Sequence, residues 1–143
     1  MTLLRWALPA ILAGSVLVAG VTIATREPDW DEGFRRSYDL AAPFAASPDN
    51  VAAGRAIFRE RCQPCHGERG RGDGPLAAAL QSKPADLVLH APQHTEGELF
   101  YFISRGVPDS AMPAWKDALS ETQRWQLVHY LDALAGGAPY SVD

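Results

Sequence analysis

Between Gly67 and Pro75 the chain reads Gly-Glu-Arg-Gly-Arg-Gly-Asp-Gly-Pro, four glycines and a proline in nine residues, in the middle of the one stretch suited to a compact domain. Glycine at that density costs too much backbone entropy for helix or strand. The segment is therefore a loop, and the elements on either side of it must be short. That stretch runs from about Pro48 to Gly136, or 89 residues. Ser47 before Pro48 is a helix start, a side-chain cap followed by proline at the first helical position. The helix it opens carries Ala53, Gly54, Ile57, Phe58 and Arg61. Thr95-x-x-Glu98 and Ser120-x-x-Gln123 are capping boxes. The first opens a helix with Leu99, Phe102 and Ile103 on one face, stopped by Gly106. The second turns Trp125, Val128, Leu131 and Leu134 inward and stops at Gly136-Gly137. No alternating β pattern and no internal repeat is present. The class is all-α: three to four short helices and long loops. A domain below about 90 residues has a marginal core, and long loops add little to it. Some non-protein body is expected to fill the middle.

Composition narrows the function. The chain has 143 residues, enough for one domain and an appendage. Its 13 Lys and Arg against 17 Asp and Glu give a net charge of −4, so a nucleic-acid partner is not expected. Two cysteines, Cys62 and Cys65, cannot make the disulfide framework of a small secreted domain.

Trp6 to Thr25 is a 20-residue stretch without a charge, bracketed by Arg5 and Arg26. At about 1.5 Å per helical residue it crosses a hydrocarbon core of about 30 Å. A cleaved signal peptide, with an apolar region of about 7–15 residues, is the competing reading, and length favours the anchor. Residues 1–26 are thus read as a transmembrane anchor, 27–47 as a linker, 48–136 as the domain and 137–143 as a tail. Charge counting does not orient the span, because Arg26, Arg35 and Arg36 follow it while Arg5 and the amino terminus precede it. In the linker Trp30, Phe34 and Tyr38 recur at i, i+4, i+8, on one face of a short helix after Asp29. They either lie on the domain or the membrane interface, the preferred reading, or form a docking stripe for a partner subunit. Twenty-one flexible linker residues would span about 25 Å root-mean-square.

The chemistry is concentrated in Cys62-Gln63-Pro64-Cys65-His66, at the end of a capped helix and just before the glycine loop. Residues three apart on a helical turn present both thiols to one side, so each can add to one vinyl group of a haem. The adjoining His66 then reaches the iron from the same side, and Gly67 lets the chain turn away from the porphyrin. Three other readings compete. A thioredoxin-like dithiol would want a preceding strand, which is absent. A zinc site from Cys62, Cys65, His90 and His94 would need a 24-residue gap unlike finger spacing. A disulfide between residues three apart would close a trivial loop.

Taken with the loop ending Gly72-Asp73-Gly74-Pro75 and the segment Ser110-Ala111-Met112-Pro113-Ala114-Trp115, Cys62-x-x-Cys65-His66-Gly67 resembles the class I c-type cytochromes. The resemblance extends over about Pro48 to Leu134 and is nearest to the single-haem, membrane-anchored domains of bacterial respiratory or copper-handling systems. It implies a cytochrome c fold around one haem c held covalently by Cys62 and Cys65, with His66 and Met112 as axial ligands. A thioether is soft, favours Fe(II) and raises the potential. Met112 is the only methionine besides Met1, and Pro113 stiffens its loop. His90 or His94 would serve instead in a bis-histidine site. The family pattern also points to Pro75 as the carbonyl acceptor of the His66 N–H, to Trp115 packing on the haem, and to Gly54 and Phe58 crossing the last helix near Trp125 and Tyr130. His129 is placed by helical phase at solvent or at the packing surface.

With both axial positions filled there is no place for a small-molecule substrate, so the resemblance implies an electron carrier rather than an enzyme. Its partners would be a redox donor and acceptor, membrane-bound, and its place the inner membrane, single-pass, with the haem domain on the periplasmic side. A fixed subunit of an oxidase or metal-handling complex is the alternative, and a ligand-binding haem sensor a more distant one. Arg55, Arg59, Arg61, Arg69 and Arg71 crowd the attachment motif against Glu60, Glu68 and Asp73. They form either a solvated face or a basic rim around the haem edge. Residues 49–143 carry 9 basic and 12 acidic groups, a net of −3, so any such rim is local.

Overall fold

The structure is a computed structural model and describes residues 29–136. The expected membrane anchor at 1–26 and the tail at 137–143 lie outside the described residues. Six α-helices follow in order: α1 (Trp30–Ser37), α2 (Pro48–Arg61), α3 (Gln63–His66), α4 (Leu87–His90), α5 (Glu96–Arg105) and α6 (Glu121–Leu134). Two 3₁₀ turns lie at Ala77–Ala79 and Ala91–Gln93, and among the described residues there is no strand. The three long helices of the domain begin where the sequence places them. Ser47 caps α2 through the Asn50 N–H, and Thr95 and Ser120 close both capping boxes. The helices α3 and α4 are single turns, too short to leave a periodic signal.

The centre of the molecule is the crossing of α2 and α6. It is made at Gly54, where any Cβ would run into the Gln126 carbonyl and lie 2.8 Å from Tyr130 Cβ. One turn on, the Phe58 ring packs 5.1 Å from that of Tyr130, and Phe58, Leu127 and Val128 are fully buried. Each such side chain is worth about 1.5–3 kcal/mol of burial. Trp125, next to Gln126, is buried in the same core. It stacks at 4.1 Å on Phe100 of α5, and the Arg124 guanidinium lies 4.7 Å from that same Phe100 ring. His129 is on the packing surface, its Nε2 3.2 Å from the Phe44 carbonyl.

Residues 29–47 depart from the flexible linker expected. Asp29 caps α1, whose Trp30 and Phe34 stack on one another at 5.2 Å and pack on Tyr101 and Phe102 of α5. The two helices approach through small residues. A Cβ at Gly33 would strike Tyr101, and one at Gly97 would strike the Ser37 carbonyl. The Tyr101 hydroxyl donates to the Trp30 carbonyl at 3.1 Å, and Ala42 N–H donates to Glu96 at 3.3 Å. The aromatic stripe thus lies on the domain through Trp30 and Phe34, whereas Tyr38 is 60% exposed. Apolar burial and backbone hydrogen bonds together hold the segment, which a count of prolines and charges could not reveal.

Candidate haem-binding site

The attachment motif is a tight double turn. Cys62 ends α2 with its N–H on the Phe58 carbonyl at 2.8 Å, and its own carbonyl accepts from Cys65 at 3.1 Å and His66 at 2.9 Å. Gly67 then leaves at φ +81°, and a side chain there would meet the Asp73 carboxylate. The glycine loop folds back on the turn: Gly72 N–H donates to the His66 carbonyl at 2.8 Å, Gly74 to Cys65 at 3.1 Å and Leu76 to Pro64 at 2.9 Å. A run of glycines that was only irregular on paper is therefore the clasp that fixes the two thiols and the imidazole.

Cys62, Cys65 and His66 line one apolar cleft, and Met112 lines it with them, together with Leu80, Val107, Pro113 and Trp115. Polar side chains in the lining are few: Arg61, Ser82, Lys83 and Ser110. The methionine loop has its own supports. Val107 N–H donates to the Met112 carbonyl at 3.3 Å, Met112 N–H to Ser110 Oγ at 3.1 Å, and Ser110 Oγ to the Val107 carbonyl at 2.8 Å. Gly106 takes φ +70°, and a Cβ on it would sit 2.6 Å from the Met112 carbonyl. From the far side Trp30 Nε1 donates to the Gly106 carbonyl at 3.2 Å, so α1 buttresses the start of this loop. Trp115 N–H closes it on Ile103 at 3.0 Å.

His66 Nδ1 faces the Ala85 carbonyl at 3.2 Å, not that of Pro75. Pro75 is exposed and outside the cleft lining, because the loop returns over α3 and brings 84–86 beneath the imidazole instead. Burial holds His66 below the ordinary histidine range, partly offset by the Ala85 carbonyl, and with Nδ1 turned to that carbonyl it is Nε2 that is left to ligate. Burial, and then the neighbouring Cys65, push the Cys62 thiol up to about 12. A redox dithiol needs the opposite, a depressed thiol, so the thioredoxin-like reading loses its support. His90 and His94 are not in the cleft. His90 is exposed at the end of α4, and His94 packs edge-on against Phe102 at 5.0 Å with Nδ1 3.5 Å from Glu98. The four candidate zinc ligands are therefore not brought together, and among the described residues no three Cys, His, Asp or Glu side chains could hold a metal ion.

Two thiols, an imidazole and a thioether around one apolar cleft fit a covalently attached haem, as the donor chemistry requires. The sequence did not point to Ala85, Leu80 or Lys83, which come from a segment without any local motif. The arginine cluster divides. Arg61 belongs to the cleft, while Arg55, Arg59, Arg69 and Arg71 line a separate concavity, so the five do not border one site.

The family described as cytochrome c oxidase, cbb3-type, subunit III matches residues 49–131, more than half of the chain. Among curated proteins, the cbb3-type cytochrome c oxidase subunit FixP of Rhizobium etli is 30% identical over 97 residues, 61% of this chain and 29% of that protein. The cbb3-type cytochrome c oxidase subunit CcoP of Azospirillum sp. (strain B510) is 30% identical over 95 residues, 65% of this chain and 31% of that protein. The match thus spans less than a third of the length of these relatives. Among solved structures, a chain of the Kuenenia stuttgartiensis reducing HAO-like protein complex has a TM-score of 0.60 at 29% identity, covering 67% of this chain and 48% of that one. The chain belongs to the cbb3-type cytochrome c oxidase subunit III family, and the stretch matched, residues 49–131, is a class I c-type cytochrome domain.

Proposed function

We propose that the chain is a membrane-tethered, extracytoplasmic carrier of single electrons with one haem c, attached through Cys62 and Cys65 and ligated by His66 and Met112. One observation carries the reading: these four side chains line the same cleft. When bound, the haem would supply a one-electron couple. The protein's part would be to hold His66 and Met112 so that their placement changes little between the two oxidation states. On one side the clasped turn and the Ala85 carbonyl fix His66. On the other, Gly106, Ser110 and Trp30 fix the backbone from which Met112 reaches in. The apolar lining would disfavour the more highly charged oxidised state of the group and, with the Met112 thioether, would raise its potential. Of the polar groups of the lining, Arg61, Ser82 and Lys83 would meet the propionates, while Ser110 holds the methionine loop. Trp115 would pack on the porphyrin, and the two ligands leave no open position for a substrate.

The partners would be membrane-bound redox proteins. The relatives are named as subunits of cbb3-type oxidases, which supports a place beside an oxidase and favours the second reading, a fixed subunit of such a complex. The docking of α1 on α5 favours it too, since it removes most of the slack between membrane and domain.

The test is expression of the full chain in a bacterium with a c-type maturation system. Haem that stays on the chain through denaturing electrophoresis, and is lost in Cys62→Ser and Cys65→Ser, is expected. A thioether-to-iron absorption band, lost in Met112→Ala, would establish the sixth ligand, and its presence in that variant would overturn it. Native separation of detergent-solubilised membranes then divides the two readings: a lone band is the tethered carrier, and co-migration with an oxidase is the fixed subunit.

A further inference from the structure

Four arginines from two elements line one concavity of about 550 Å³ that shares no residue with the haem cleft. Arg55 and Arg59 stand one turn apart on α2, and Arg69 and Arg71 come from the glycine loop. The apolar part of its wall is Tyr130, Val88 and Leu134, with Tyr130 buried to 3% exposure. The carboxylate lining it is Glu68, so the groove carries a local charge of +3 on a chain whose net charge is −4. Arg71 also lies 3.9 Å from Asp86, with 55% of its side chain exposed, an ion pair too open to neutralise it. The clasp of the glycine loop on α3 brings the two pairs of guanidinia to one groove, at the back of the turn that carries the haem thiols.

We propose that this groove docks an acidic segment of a partner protein. Guanidinium forks match carboxylates in a bidentate way, and four of them suit a segment with several carboxylates rather than one ion. The volume is that of a site for a drug-sized ligand or a few peptide residues, far larger than one inorganic anion needs. Glu68 and Gln63 add a carboxylate acceptor and an amide, which a peptide's N–H and C=O groups satisfy. A phosphate or an anionic lipid headgroup brings acceptors and would leave Glu68 facing like charge. The apolar wall receives an uncharged side chain of the segment. A partner held here grips the domain from behind, so recognition and electron exchange use different faces. That division rests on the electron-carrier reading, whereas capture of the acidic segment does not.

The experiment uses the full haem-loaded chain in detergent and a fluorescent hexaglutamate peptide, read by anisotropy. Binding is expected to weaken from about 20 mM to about 200 mM salt. It should fall more than tenfold in the double variant Arg59→Glu, Arg69→Glu, and by a smaller factor in Arg59→Gln, Arg69→Gln, whose uncharged side chains spare the fold. The haem absorption spectrum should not change in either, and Arg35→Glu on α1 should bind as the parent does. Equal binding by the parent and the charge-reversed protein overturns the proposal. So does tight binding to phosphatidylglycerol vesicles with none to the peptide, which makes the groove a lipid site. Displacement of the peptide by equimolar inorganic phosphate would make it a small-anion site. A rise in affinity on truncation after Gly136 would make the chain's own C-terminal segment the occupant. If no covalent haem forms, the electron-carrier reading fails, and the peptide measurement still stands by itself.

Discussion

At the α2–α6 crossing, protein packs on protein. Phe58, Leu127 and Val128 are sealed by one another, and Gly54 lets two helix backbones touch. On the cleft side the walls are the turn 62–66 and the segment 80–85 on one flank and the loop 107–115 on the other, the turn clasped by backbone hydrogen bonds from the glycine loop, with sulfur and nitrogen donors facing the gap. The contrast shows a division of labour. One half of the domain supplies its own core and sets the frame. The other half leaves an apolar cleft open and spends its hydrogen bonds on placing Cys62, Cys65, His66 and Met112 around it.

If that division is right, substitutions at the crossing change stability without moving the redox potential, and substitutions at the cleft do the reverse. Phe58→Ala should cost about 3–5 kcal/mol of unfolding free energy, measured by guanidinium denaturation of the haem-loaded protein, with an unchanged midpoint potential. A shifted potential would break the comparison. Gly54→Ala is smaller in volume, yet the added methyl meets a backbone carbonyl that cannot rotate away. A loss of about 2–3 kcal/mol is expected, again without change in the haem spectrum. Trp30→Phe keeps the aromatic stack and removes the Nε1 bond to Gly106. About 1 kcal/mol is expected, accompanied by a weaker thioether-to-iron band as the methionine loop loosens. If that band keeps its full strength, α1 is packing only. Met112→Leu, at a half-buried position, should change unfolding free energy by less than about 1.5 kcal/mol in the haem-free chain while lowering the potential of the loaded one.

The same division explains what could be read in advance. Thr95 with Glu98, Ser120 with Gln123 and Ser47 with Pro48 are decided within one helical turn, so the starts of α2, α5 and α6 were legible from the sequence. Cys62, Cys65 and His66 form a fixed local pattern, and Met112 stood out as the only methionine in the domain. Contacts between distant segments were not legible. Pro75 lies at the expected spacing from His66, but the loop's return over α3 sends the imidazole to Ala85, 19 residues on. The arginines were read together because they are near in sequence. Helical phase carries Arg55 and Arg59 to one face of α2, while Arg61 at its end lines the cleft. The docking of α1 had one overlooked trace, the small residues Gly33 and Gly97 where the two helices come closest.

The seating of α1 changes the scale on which the domain can search. Of the 21 residues first read as a free linker spanning about 25 Å, those from Trp30 to Ser37 are a helix held on α5, so they add no slack to any tether on the domain. The volume swept shrinks roughly with the cube of the reach. Effective concentration rises accordingly for a neighbour within arm's length, and it falls to nothing for one across the membrane plane.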